Sequence, residues 1–147
     1  VVAHSVDSIG PRAASRDIDV DLAVTPVRLT GDARRIAQVV DNLLSNAVKF
    51  TSPGGRVRVR VGTEGEHAFV EVDDNGIGIP AADLAGLFER FTRAANATRG
   101  AIPGTGVGLA IVKKLTEMHG GVVSVESTEG AGARFRVEIP LRRGEPQ

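Results

Sequence analysis

Three short stretches of this 147-residue chain carry residue types whose spacing suits chemistry. In NLLSNAVKF, Asn42, Asn46 and Lys49 fall at i, i+4 and i+7, which on a helix sets two amides and one ammonium along a single line. Solvated helix faces favour Glu, Lys and Arg, and asparagine is a poor helix former, so the stripe reads either as a plain solvent face or as one that holds a ligand. A hard cation such as magnesium takes oxygen ligands and usually keeps several waters, adding one or two protein oxygens and phosphates. One Asn carbonyl next to a lysine that meets phosphate satisfies that demand. In DDNGIGIP, Asp74 is followed by Gly76 and Gly78, with Ile77 and Ile79 between and after them. Asp-Asn-Gly is first of all a turn signal. The second glycine and the two isoleucines also suit a carboxylate at the floor of an apolar slot, where a flat heterocycle offers an N–H. Adenine's amine donates there, whereas guanine presents a carbonyl and is repelled. In GTGVGLAIVKKL, Gly104, Gly106 and Gly108 lead into a helical pattern. Free N–H groups and the positive end of a helix dipole, cleared of side chains, bind anions, and phosphate is the economical ligand; a flexible hinge is the alternative. A dinucleotide-binding GxGxxG counted from Gly106 would need glycine where Ile111 stands, and no GK[ST] exists for a P-loop.

The elements that must position these groups follow from periodicity. IDVDLAV and VRLT alternate as short strands around a turn at Thr25-Pro26. From Asp32, an N-cap, Ile36, Val39, Val40, Leu43, Leu44 and Ala47 recur at helical spacing, ending at Thr51-Ser52-Pro53-Gly54-Gly55. RVRVRV (56–61) and HAFVEVDD (67–74) predict a hairpin across Thr63-Glu64-Gly65-Glu66, with Arg56, Arg58 and Arg60 on a solvated face. Pro80 opens a short helix, PAADLAGLFERF. Residues 92–103 hold few anchors for a core and read as a mobile loop. Val107, Ile111, Leu115 and Met118 form the stripe of a further helix that His119-Gly120-Gly121 closes, and VVSVES and ARFRVEIPL complete the strands. The order predicts an α+β fold, a mixed sheet with helices layered on one face. Residues 1–17, broken at Gly10-Pro11, read as a lead-in from a preceding domain, 18–141 as one domain and 142–147 as a polar tail.

Composition narrows the function classes. Eighteen Lys+Arg balance eighteen Asp+Glu, so no global positive field advertises nucleic acid or an anionic membrane, and any anion must be handled locally. Cysteine is absent, which removes disulfides, thiolate chemistry and cysteine zinc sites. No apolar run reaches the length of a bilayer span and no signal-peptide layout opens the chain, so no membrane contact is expected.

NLLSNAVKF, DNGIGI, LFERFTRA and GTGVGLAIVKKL, in that order, closely resemble the asparagine box, first glycine box, phenylalanine box and second glycine box of the catalytic ATP-binding domain of bacterial sensor histidine kinases. That family belongs with the gyrase, Hsp90 and MutL ATP-binding folds, and the resemblance covers about residues 18–141. It implies a two-layer α/β sandwich of the Bergerat type, with about three helices on a mixed sheet and a mobile ATP lid. It also implies roles. Asn46 coordinates magnesium; Asn42 and Lys49 hold the phosphates; Phe50 stands beside the nucleotide; Asp74 takes the adenine amine. Gly76, Gly78 and Ile79 shape the adenine slot, and Gly104, Thr105, Gly106, Val107 and Gly108 line the phosphates. Leu109 closes that lining and also serves the core. The lid spans about 79–103, pinned by Phe88 and Phe91, with Arg93 a phosphate contact and, beside Asn42 and Lys49, a catalytic candidate.

Departures from the family pattern matter too. Thr92 replaces a common tyrosine, and Arg134 precedes Phe135 where threonine is frequent, which puts one contact near the adenine in doubt. His4, His67 and His119 lack the phosphoacceptor motif, so the acceptor histidine is expected on a separate dimerisation domain. Gyrase-like and Hsp90-like ATPases place a water-activating glutamate one turn before the magnesium asparagine; here that position is Asn42, which cannot serve as a base. A neutral imidazole needs no such base, so positioning and charge neutralisation suffice for a histidine kinase. The resemblance thus implies γ-phosphoryl transfer from Mg-ATP within two-component signalling in the cytoplasm, with a response regulator receiver domain downstream and no nucleic acid. The alternatives are an anti-sigma-factor-type serine kinase and a non-catalytic nucleotide-sensing module.

Overall fold

Alternation along Arg56–Glu64 (β2) sends Val57 and Val59 to one face and Arg58 and Arg60 to the other, and the rest of the sheet takes its sidedness from that strand. The computed structural model describes residues 2–25, 27, 31–79, 86, 88 and 108–141. In chain order these form α1 (Val2–Ser15), β1 (Asp19–Val24), α2 (Ala33–Phe50), β2, β3 (His67–Asp74), α3 (Gly108–Met118), β4 (Val122–Thr128) and β5 (Gly132–Pro140). The sheet order is β1-β2-β3-β5-β4, with β1 parallel to β2 and the other pairs antiparallel. The mixed sheet with helices on one face is the predicted α+β architecture.

The register sets Val59, Val72 and Phe135 side by side across β2, β3 and β5, and these pack with Val40, Leu43, Leu44 and Val48 of α2 into the core. Asp32 caps α2 as expected, its carboxylate accepting from the N–H of Arg34 (3.0 Å) and Arg35 (3.2 Å). The β2–β3 hairpin turns at Gly65, whose φ of 60° lies in the left-handed region. On the opposite face of the sheet, Arg56, Arg58 and Arg60 are exposed, as the alternation predicts. Arg60 is not merely solvated, however. Arg60 pairs with Glu71 (2.8 Å), which Arg136 also holds (3.1 Å), and both guanidiniums lie over the Phe69 ring. That double pairing is what permits Glu71 to sit 5% exposed.

Three expectations need adjusting. The break at Gly10-Pro11 does not occur: α1 runs through both residues and places Ile9 and Ala13 in the core. Burial of that apolar face outweighs the lost Pro11 donor. Met118 is 42% exposed, and the buried side chains of α3 are Val112, Leu115 and Thr116, so the stripe is rotated from the expected one. The strand expected at VRLT falls largely outside the described residues, as do the helix expected from Pro80, the loop at 92–103 and the tail. Among the described residues no helix is long and apolar enough to cross a membrane.

Candidate functional site

The inner face of β3 ends at Asp74, where the strand leaves the sheet and the last turns of α2 lie above it. Asp74 is buried, opposite Val57 on one side and Ala133 on the other. Removal from water pushes its carboxyl up from 3.8 to about 6, against the pull of the N–H groups of Gly76 and Ala133 and with a small push from Asp73. The Gly76 N–H reaches Asp74 Oδ1 at 2.9 Å. A carboxylate buried this way, served among the described residues by backbone donors, keeps acceptor capacity for a further N–H.

The loop after Asp74 is held by its neighbours. Ile77 N–H donates to the Phe50 carbonyl at the end of α2 (3.2 Å), the Ile77 carbonyl accepts from Gly130, and Ile79 N–H donates to Ser127 Oγ (2.8 Å). Ser127 in turn donates to the Gly132 carbonyl (2.7 Å). These contacts give the glycines a reason that the sequence did not reveal. A Cβ on Gly76 would run into the Phe50 carbonyl; one on Gly78, whose φ is 70°, would run into the Thr128 carbonyl. What these two glycines clear is the chain's own backbone. Gly108, at the start of α3, is different: a Cβ there meets nothing within 4 Å.

Asn42, Asn46, Lys49 and Phe50 all lie on the last three turns of α2 and are all half-buried. Asn42 Nδ2 is buried and has no hydrogen-bond partner among the described residues. A buried amide donor left unmade costs free energy, and a phosphate oxygen is the kind of acceptor that satisfies it. The described residues contain no group of three or more His, Cys, Asp or Glu able to hold a metal; an amide oxygen together with phosphate is a donor set that magnesium accepts. Leu109 and Ile111 pack against the core, and Phe88 meets Phe135 edge to face at 6.2 Å between centroids. Arg93, Gly104, Thr105, Gly106, Val107 and Phe91 lie outside the described residues.

Two sequence readings change meaning. Arg134, whose presence before Phe135 puts one contact near the adenine in doubt, has its side chain on the opposite face, 3.9 Å from Asp73, and the residue on Asp74's own face is Ala133. His119 is a helix-end residue as expected, and it is also a clamp. Its Nδ1–H donates to the Leu115 carbonyl (2.9 Å) while Nε2 accepts the Asp32 N–H (3.1 Å), which ties the end of α3 to the start of α2 and occupies both ring nitrogens. Ser127, Thr128 and Gly132, which hold the loop from below, were visible in sequence only as a strand end and a glycine-rich turn.

Comparison with known proteins agrees with this fold. The profile of the family described as "Histidine kinase-, DNA gyrase B-, and HSP90-like ATPase" matches residues 31–143. Circadian input-output histidine kinase CikA of Synechococcus elongatus is 50% identical over 109 residues, which are 74% of this chain and 14% of that protein. The chain thus spans a small part of this curated relative. Among solved structures, mycobacterial sensor histidine kinase MprB superposes with a TM-score of 0.84 at 34% identity, covering 97% of this chain and 94% of that one. Full-length ShkA in complex with AMPPNP does so with a TM-score of 0.82 at 32% identity, over 97% of this chain and 30% of that one. With the profile matching most of its length and the fold superposing on a sensor histidine kinase at 34% identity, the chain belongs to the histidine kinase-, DNA gyrase B- and HSP90-like ATPase family, as an ATP-binding catalytic domain of the sensor histidine kinase type.

Proposed function

We propose that the chain binds Mg-ATP and transfers its γ-phosphoryl group to a histidine on a separate dimerisation domain, as one step of two-component signalling in the cytoplasm, with a response regulator receiver domain as the later acceptor. The observation that carries this reading is Asn42: an amide whose buried Nδ2 lacks a partner among the described residues, at the position where a hydrolysing relative would carry a base. Asn42 and Lys49 hold the phosphates, Asp74 accepts the adenine amine, and Phe50 stands beside the nucleotide. Magnesium, held by Asn46 and the phosphates, supplies neutralisation of phosphate charge. Gly104, Thr105, Gly106, Val107 and Gly108 line the phosphates in this reading, and Arg93 is a further phosphate contact. The acceptor imidazole attacks the γ-phosphorus as the bond to the β,γ-bridging oxygen breaks, and ADP leaves. The AMPPNP complex of ShkA supports an adenine nucleotide as the ligand. Residues 18–141 carry the catalytic unit in this reading, and residues 1–17, whose helix α1 packs Ile9 and Ala13 into the same core, lead into it from a preceding domain.

The test is calorimetric titration with ATP and with GTP in the presence of magnesium, followed by labelling of an added dimerisation domain. ATP binding, little GTP binding, slow phosphate release by the chain alone and an acid-labile phosphoryl product are expected. An acid-stable product would assign the transfer to serine, and rapid hydrolysis without an acceptor would refute the role given to Asn42.

A further inference from the structure

The end of α2 has every reason to fray, because the last carbonyls of a helix have no partners within it and carry the negative end of its dipole. Here each of several is met from outside. Thr51 Oγ1 donates to the Ala47 carbonyl (2.7 Å), and Ile77 N–H donates to that of Phe50. Arg16, just past the end of α1, donates from one nitrogen to the carbonyls of Thr51 (2.9 Å) and Lys49 (3.4 Å). The next residue, Asp17, takes a left-handed φ of 57°, and its carbonyl accepts the Gly54 N–H (2.7 Å), so residues 16 and 17 grip the α2–β2 turn together. The two carbonyls Arg16 holds flank that of Phe50. The Phe50 carbonyl supports Ile77 and closes the space above Gly76, whose N–H is donated to Asp74. Contacts therefore run without a gap from an exposed arginine to the buried carboxylate.

We propose that Arg16 is a positioning residue of the nucleotide slot: by capping the terminal carbonyls of α2 it fixes Phe50, and through Phe50 the backbone that presents Asp74. The inference rests on the reading of Asp74 as the adenine acceptor for its functional consequence, though not for the mechanical coupling. Arg12, which donates to Ser45 Oγ (3.3 Å) one turn earlier, is outside this row of contacts and serves as the control.

The experiment compares Arg16→Met, Arg16→Lys and Arg12→Met with the wild-type chain by NMR-detected amide exchange without nucleotide and by Mg-ATP titration. In Arg16→Met, exchange at Gly76 and Ile77 should quicken by roughly tenfold while Val59 and Val72 at the sheet centre keep their rates. ATP affinity should fall by roughly fivefold, with Arg16→Lys recovering part of both effects and Arg12→Met changing neither. Unchanged exchange at Gly76 and Ile77, or an equal acceleration at Val59 and Val72, would overturn the positioning role. A wild-type chain that binds no ATP would instead overturn the adenine reading, and the exchange data would still decide the coupling.

Discussion

Replacing Asp74 by asparagine should make the nucleotide-free domain more stable at neutral pH while weakening its affinity for ATP. The carboxyl is pushed from 3.8 to about 6 by burial, so holding it ionised in the fold costs about 3 kcal/mol relative to the unfolded chain. A folded pKa above the unfolded one contributes stability that is complete below pH 4 or so and is lost as pH rises through about 6. Asparagine never ionises and escapes this loss, but it has one acceptor oxygen where the carboxylate has two, for the N–H groups of Gly76 and Ala133. Giving up one such bond costs about 1 kcal/mol. The variant should therefore be less stable than wild type by about 1 kcal/mol near pH 4 and more stable by about 2 kcal/mol at pH 8. Urea denaturation of both proteins across pH 4–8 measures this, and taking the difference cancels every other titrating group. A difference that stays flat with pH, or a variant that is weaker at pH 8, would refute the claim that Asp74 is an ionised carboxylate held against desolvation. ATP affinity of the variant should fall on the order of a hundredfold at pH 8, since the adenine amine loses its charged acceptor. In wild type, affinity should weaken as pH drops below about 6 and the carboxyl takes up its proton.

Other expectations follow from single contacts. Asn42→Ala removes a donor without a partner among the described residues, so urea midpoints should correspond to a stability change within about 1 kcal/mol while calorimetry shows ATP affinity lower by about tenfold. Gly78→Ala forces a methyl group against the Thr128 carbonyl at a φ of 70°, and denaturation should reveal a loss of about 3 kcal/mol or more. His119→Ala breaks the clamp between α3 and α2 and leaves a void, costing about 2 kcal/mol by the same measurement, with His119→Gln recovering a part.

Much of this protein was legible in order. The α2 stripe, the β2–β3 hairpin and the glycine close of α3 each rest on interactions between residues near in sequence, which periodicity and turn chemistry report directly. The N-terminal helix was harder to see. Val6, Ile9 and Ala13 do recur at helical spacing, but Gly10-Pro11 is strong local punctuation, and only packing against α2 tips the balance. The rotated stripe of α3 has a similar cause: Met118 and Val112 differ little in hydrophobicity, and the position of the neighbouring helix decides which is buried.

The site divides along the same line. Sequence alone singled out the residues proposed to carry the chemistry, because Asn42, Asn46 and Lys49 share a helical line and Asp74 stands at a strand end, both consequences of local geometry. Tertiary structure decided what those groups are. Burial between β2 and β5 turns Asp74 from an ordinary turn aspartate into a carboxylate near pH 6, and the Phe50 and Thr128 carbonyls decide why positions 76 and 78 must be glycine. Desolvation and backbone contact depend on residues more than fifty places away as well as on neighbours, and no local pattern records them.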